Sequence, residues 1–469
     1  MKNSLNGNGL RREIGLFSAT ILVIANMVGT GIFTTSGFIM AELGNPRALL
    51  LCWFCGGVFA LCGALCYGEL GARFPRAGGE YVFLKESFGK PVGFLSGWIS
   101  LIVGFSAPIA AASIAFATYF FQAFSIPAAS KTVWTAFGMP LVTLSPVNFT
   151  AIGIIIVFTL IHRHSLRTGS QVQNLLTLFK VALVLVFLLA GFWAGQGSFH
   201  HFQAAAEKLP SLSAEKFAVS LIFVSFAYSG WNAAAYMGSE IVNPQRNIPL
   251  ALFVGTAIVT LLYLLLNMVY LYALSPAEMA GVMEIGAKAA VSLFGENISR
   301  VFSAAVALGI LSVLSAMVMT GPRIYYAMAK DGVFFPVFSK LDARRRTPAA
   351  SIFLQAGIAV LMVLSASFET LLIYIGFTLS LFASLTVIGL MRIRMQSSDE
   401  EKGYRTWGYP FTPLLFVLCN LWIILFSIRS RPAAALAGLG TIGVGIIVYM
   451  FFVRVSKPEN ASALAEDIP

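Results

Sequence analysis

Two short runs concentrate the groups able to bind a small charged solute: Asn26-Met27-Val28-Gly29-Thr30-Gly31-Ile32-Phe33 and Phe226-Ala227-Tyr228-Ser229-Gly230-Trp231-Asn232. Both interrupt long apolar stretches with backbone-flexible residues. In hydrocarbon, a helix that breaks leaves amides and carbonyls unpaired, which is tolerable only where protein, water or a ligand satisfies them. The chemistry on offer is therefore that of the main chain. A helix N-terminus presents free amides and about half a positive charge to an anion, so a carboxylate needs no arginine there; freed carbonyls face a cation. Two interrupted segments in corresponding places point to a site at mid-membrane depth.

Lys180 is the sole lysine or arginine inside an apolar span, flanked by Leu178-Phe179 and Val181-Ala182-Leu183. A lysine at helix centre costs about 2.5 to 3.5 kcal/mol on insertion scales, which marks it as functional by default. Snorkelling to the interface is the alternative. The polar run Ser170-Gln171-Val172-Gln173 lies roughly 10 to 15 Å away along the helix, and that depth makes snorkelling difficult.

Other polar residues say less. Glu69 stands four residues before Arg73, a spacing that favours local ion pairing over a proton relay. Glu240 is placed to meet Arg246 or another basic residue at a gate. His162 and His164 flank Arg163, and His200-His201 lie in a loop, so solvated roles outweigh metal binding. Cys52, Cys55, Cys62 and Cys66 share one span and Cys419 another; buried thiols fit better than a redox or metal site, which needs further ligands. No cofactor or metal is called for. No acidic residue lies near either break, so nothing holds a second positive charge, and the site should prefer neutral solutes. Ser106, Ser312, Ser315 and Ser380 are unranked wall residues.

The elements that position these residues follow from composition. With 58% hydrophobic and 11% charged residues and a mean hydropathy of +0.83, the chain is far from the roughly 25% charged content of soluble domains. About twelve apolar stretches approach the 20 residues needed to cross the hydrocarbon layer. They begin near Ile14, Ala48, Pro91, Pro146, Gln171, Phe217, Pro249, Ser299, Pro348, Glu369, Pro413 and Ala433. The fold expected is an all-α polytopic membrane protein. The first stretch, preceded by Arg11-Arg12 without an obvious cleavage site, reads as a retained helix.

The net charge of +11 does not indicate nucleic acid, because the basic residues sit on alternate loops. With the N-terminus inside, about 22 of the 31 Lys and Arg fall on cytoplasmic segments, as the positive-inside tendency requires. Both termini are then cytoplasmic in a multi-pass inner membrane protein. Arg344-Arg345-Arg346 fits the same orientation signal, with anionic lipid contact as the alternative.

The order of spans divides the chain into an N-terminal tail (1–13), a first five-helix repeat (14–196), an outside loop (197–216), a second repeat (217–395), a cytoplasmic loop (396–412), two further helices (413–454) and a C-terminal tail (455–469). Each repeat opens with a broken span, the signature of inverted topology. Gly56, Ala60, Ala64 and Gly68 recur every four residues and suit close helix packing. Gly438, Gly440, Gly443 and Gly445 could serve likewise or line a subunit contact.

Three motifs in order carry a family resemblance: Gly29-Thr30-Gly31-Ile32-Phe33, Phe74-Pro75-Arg76-Ala77-Gly78-Gly79-Glu80-Tyr81, and the stretch from Phe226-Ala227-Tyr228 through Glu240-Ile241-Val242-Asn243-Pro244-Gln245-Arg246-Asn247-Ile248-Pro249. The chain resembles the amino acid-polyamine-organocation superfamily and, within it, bacterial relatives of the L-type amino acid transporters. The resemblance implies a twelve-span secondary carrier whose first ten spans form two inverted repeats, working by alternating access. It implies that Asn26, Gly29, Thr30 and Gly31 line the first break, whose amides receive the substrate carboxylate. Phe226, Ala227, Ser229 and Gly230 then form the second, whose carbonyls receive the ammonium, with Phe226 the outer gate and Trp231 lining or bracing the site. Ser229 departs from the glycine of eukaryotic relatives. Lys180 matches a lysine that approaches the first broken helix where sodium-driven relatives hold sodium, so it implies sodium-independent transport of neutral L-amino acids.

Exchange or facilitated transport and proton symport both stay open; a receptor is a remote alternative, and an enzyme is not expected because no catalytic set is visible. Eukaryotic L-type transporters join a heavy subunit through an outside cysteine, and Phe124–Ser145 has none, so no disulfide-linked heavy subunit is expected.

Overall fold

The computed structural model describes residues 12, 14–127, 132–136, 139–164, 166–193, 195–202, 213–342, 347–396 and 403–455. Arg344-Arg345-Arg346 and nearly all of both tails lie outside the described residues. In chain order the helices are α1 (Leu16–Met27), α2 (Thr30–Leu43), α3 (Pro46–Arg73), α4 (Glu80–Phe88), α5 (Lys90–Ile99), α6 (Ala107–Ala123), α7 (Pro146–His164), α8 (Leu166–Trp193), α9 (Ala214–Tyr228), α10 (Ala233–Tyr236), α11 (Pro244–Ala273), α12 (Pro276–Met279), α13 (Ile285–Phe294), α14 (Glu296–Thr320), α15 (Pro322–Lys330), α16 (Ala349–Ser365), α17 (Phe368–Gln396), α18 (Phe411–Ser430) and α19 (Pro432–Val455). A hairpin of β1 (Thr132–Ala136) and β2 (Met139–Leu144), joining α6 to α7, is the exception to an otherwise helical chain.

Among the described residues, ten helical segments, the interrupted first span included, are long and apolar enough to cross a membrane. The seventeen-residue α16 and the interrupted pair α9 and α10 add two shorter crossings, so the structure carries twelve apolar passages. Helix starts fall where the caps dictate. The Asn45 side chain accepts from the Arg47 and Ala48 amides and Pro46 opens α3, which moves that start ahead of Ala48. Likewise α11 begins at Pro244, so Pro249 lies inside the helix.

The packing has a regular feature. Counting spans along the chain, the first lies against the sixth (α2 on α9), the second on the seventh (α3 on α11), the third on the eighth (α6 on α14) and the fourth on the ninth (α7 on α16). Small residues allow the close approaches. A Cβ on Gly56 would stand 2.2 Å from Val224, and one on Gly68 3.1 Å from the Pro249 Cα, so the small-residue stripe of α3 faces both α9 and α11. In α19, Gly438 rests on Phe377 and Thr378 and Gly445 on Trp98, while Gly440 and Gly443 meet nothing nearby.

Between α5 and α6 the third span widens into a π-helical turn over Ser100–Ser106. Pro108 has no amide to return to the Gly104 carbonyl, which removes one α-helical bond there. Gly104 and Phe105 of this turn line the central cavity.

Candidate functional site

The first span breaks between Val28 and Gly29. Val28 caps α1 with ψ 88, and Gly29 precedes α2 with φ -130 and ψ -147, neither helical nor regular strand, with Thr30 and Gly31 in the first turn of α2. The second broken span stops at Tyr228, turns through Ser229 and Gly230, and resumes at Ala233. Gly230 has φ +95, a conformation open to glycine and strained for other residues.

The two breaks face each other. A Cβ on Gly31 would meet the Ala227 Cα at 2.4 Å, and one on Gly230 would meet the Asn26 carbonyl at 2.8 Å. Glycine is required here for contact between backbones. One buried phenol ties them: Tyr263 Oη on α11 lies 2.6 Å from the Met27 carbonyl and 3.0 Å from that of Ala227. Both oxygens belong to turns whose helical amides are missing, so Tyr263 satisfies acceptors that lipid could not.

A recess between the breaks is lined by Asn26, Gly29, Thr30, Gly31, Phe226, Ala227 and Ser229, with Pro108, Ala112, Val313 and Met317 among the walls. No residue of that lining carries a charge. The recess adjoins a larger cavity of about 110 Å³ that shares Asn26, Phe226, Ser229 and Met317 and extends past Gly230, Trp231, Asn232, Glu80, Ser100, Phe105, Tyr236, Thr320 and Ser380. Phe226 is 6% exposed and belongs to both. Trp231 lines the cavity and is braced edge-on by Tyr67 at 4.6 Å and Phe416 at 6.1 Å.

Lys180 is wholly buried on α8, and its Nζ donates to the Ala25 carbonyl at 2.9 Å. In an unbroken helix that carbonyl would take the amide of Gly29. The Lys180 amino group therefore occupies an acceptor left by the first break, and snorkelling is excluded. Gly309 of α14 packs on the lysine stem.

Several expectations are corrected. Glu69 pairs with Arg394, through two bonds of 2.7 and 2.6 Å, and accepts from the Thr406 amide and hydroxyl; Arg73 is not its partner. By contrast, the expected contact of Glu240 with a basic residue is present: Arg323 lies 2.9 Å away, the two side chains being only 15% and 7% exposed. His162 is not solvated: it is buried on α7 with Nε2 2.8 Å from Ser315 Oγ. The expectation of no acid near either break fails at Glu80, which lines the cavity and accepts from Asn232 Nδ2 at 3.0 Å.

Of the four serines, Ser380 lines the cavity, Ser106 bonds the Leu101 carbonyl, and Ser312 is buried without a hydrogen-bond partner among the described residues. The cysteines are free thiols, and among the described residues no group of three potential ligands could hold a metal.

Missed by spacing arguments are Glu80, Tyr263 and the π turn. Glu80 stood within a quoted motif, and only its loop position hid it. Tyr263 gave no signal, being one of 14 tyrosines.

The segment that follows the second break is fastened to the rest of the bundle. Ile14 bridges Ile241, its amide donating to the Glu240 carbonyl and its carbonyl accepting from the Val242 amide, both at 2.9 Å; Ala77 bridges Met237, and the Gly78 amide donates to the Tyr236 carbonyl.

A family described as amino acid permease matches residues 14–458. The b(0,+)-type amino acid transporter 1 of Mus musculus is 30% identical, covering 99% of this chain and 95% of its own length. The serine/threonine exchanger SteT of Bacillus subtilis (strain 168) is 31% identical over 89% of this chain and 91% of its own. The large neutral amino acids transporter small subunit 2 of Homo sapiens is 28% identical over 95% and 81%.

Proposed function

The chain belongs to the amino acid permease family, a multi-pass membrane transporter of amino acids, and from that premise we propose that it exchanges neutral L-amino acids without sodium. The observation that carries the reading is the uncharged recess between two facing breaks, backed by Lys180. The α2 amides at Gly29, Thr30 and Gly31 receive the carboxylate, since a helix N-terminus gathers free donors and positive potential. Carbonyls of the Phe226–Gly230 turn receive the ammonium. Phe226 closes the recess toward the cavity.

The Lys180 amino group donates where an exchangeable cation would otherwise satisfy the freed carbonyl, which removes the reason to bind sodium. Span pairing supports two five-helix repeats, 14–196 and 217–395, rocking about this site, with 413–454 peripheral. The basic residues support a cytoplasmic membrane orientation with both termini inside. The Ile14, Ala77 and Arg323 contacts then form the cytoplasmic closure. The sequence Phe124–Ser145, without cysteine, supports action without a disulfide-linked subunit.

Counterflow tests the proposal: proteoliposomes loaded with one unlabelled neutral amino acid take up labelled amino acid. Uptake should require internal substrate and stay unchanged when choline replaces sodium. Uptake abolished without sodium would overturn the assignment of Lys180, and uptake that acidifies the interior would convert the exchanger into a proton symporter.

A further inference from the structure

Glu80 is the one acidic residue in the described cavity lining, and the carrier reading gives it no work. It opens α4 and is 6% exposed. Its Oε1 accepts from Tyr67 Oη at 2.7 Å and from Asn232 Nδ2 at 3.0 Å; among the described residues Oε2 has no hydrogen bond.

The charged groups on the neighbouring elements are engaged elsewhere. Lys85 holds Asp331, Arg76 holds Glu86, Arg323 holds Glu240 and Arg394 holds Glu69. Lys90 and Arg392 on the adjoining helices make no bond to it; Arg392 lies over the Phe88 ring. The titratable groups nearest the carboxylate are the phenols of Tyr67 and Tyr236. Ionised, Glu80 is a buried anion served, among the described residues, by two neutral donors and no cation. Burial favours taking a proton, and it pushes the pKa up to about 6 against the opposing pull of the Tyr67 and Asn232 bonds.

We propose that Glu80 is a proton-binding site in the substrate cavity, whose charge sets how firmly Asn232 holds the break of the second interrupted span. The carboxylate takes a proton from the hydronium of the bathing solution, leaving water, and becomes the neutral acid, with Oε2 as the oxygen free to receive it. Charge-assisted hydrogen bonds are roughly twice as strong as neutral ones, so protonation weakens the Asn232 contact. Asn232 closes the turn that supplies the acceptors for the substrate ammonium, and loosening it lowers substrate affinity.

The titration is read without transport. In pH-difference infrared spectra of the reconstituted protein, the wild type should show a protonated-carboxyl band titrating near pH 6 that Glu80→Gln lacks. Tyr67→Phe removes a donor that favours the ionised form, so its midpoint should rise. A missing band, or a midpoint that Tyr67→Phe leaves in place, overturns the site.

The kinetic consequence rests on the carrier reading. On lowering the pH from about 7.5 to about 5, the wild-type KM should rise several-fold, while Glu80→Gln holds the raised value throughout. His162→Gln should keep the wild-type response; its loss there would move the effect to His162 and overturn the coupling. A titrating band in a protein that exchanges nothing would support the proton site and count against the carrier reading instead.

Discussion

At the scale of single residues, two buried groups set what the breaks can do. Lys180 holds the Ala25 carbonyl, and a hydrogen bond to a charged group contributes roughly 1.5 to 3 kcal/mol. Lys180→Ala should therefore lower exchange about tenfold or more while insertion and expression stay near wild type; unchanged kinetics in counterflow would remove Lys180 from the mechanism. Tyr263→Phe removes the one proton that the two break carbonyls share, a buried loss costing about 1 to 3 kcal/mol. Its expected result is a raised KM with a protein that still elutes as a folded monodisperse peak. The lysine was legible because a lone cation in an apolar run is conspicuous. The partners of Glu69 and Glu240 were not: spacing favours neighbours four to six places away, whereas Arg394 and Arg323 arrive from 325 and 83 positions further on. Glu80 escaped because residues outside spans were read as solvated, although α4 folds back beneath the cavity.

At the scale of elements, the glycines fix how closely the broken spans approach. A methyl at Gly31 collides with the Ala227 backbone, and overpacking of this kind costs about 1 to 3 kcal/mol. Gly31→Ala should abolish substrate-induced thermal stabilisation while leaving helical content by circular dichroism intact. Gly29 has only the Val313 side chain at 3.3 Å, which can rotate aside, so Gly29→Ala is expected to retain partial activity. If the two variants behave alike, contact between backbones is not what demands glycine. Both breaks were readable because glycine, serine and threonine interrupt apolar runs where no loop is expected. The π turn was not, since Ser100–Ser106 reads as ordinary span and only a single proline marks it.

At the scale of the whole molecule, twelve passages were countable from hydropathy, but their pairing was not, because the halves share too little sequence to align by eye. The ion pair of Arg323 and Glu240 joins α15 to the segment after α10, and breaking one partner of a buried pair costs roughly 3 to 5 kcal/mol. Arg323→Glu should stall exchange, and the double exchange with Glu240→Arg should restore part of it; no recovery would show that the pair does not act as a closure. The bridge between Ile14 and Ile241 has a practical corollary. Two main-chain bonds moor Ile14, at the entry to the first span, to the segment that follows the second break, so on the proposed mechanism a group attached just before Ile14 moves with that segment. Purification handles belong at the other end, and a fluorophore placed just before Ile14 would flicker with every turnover.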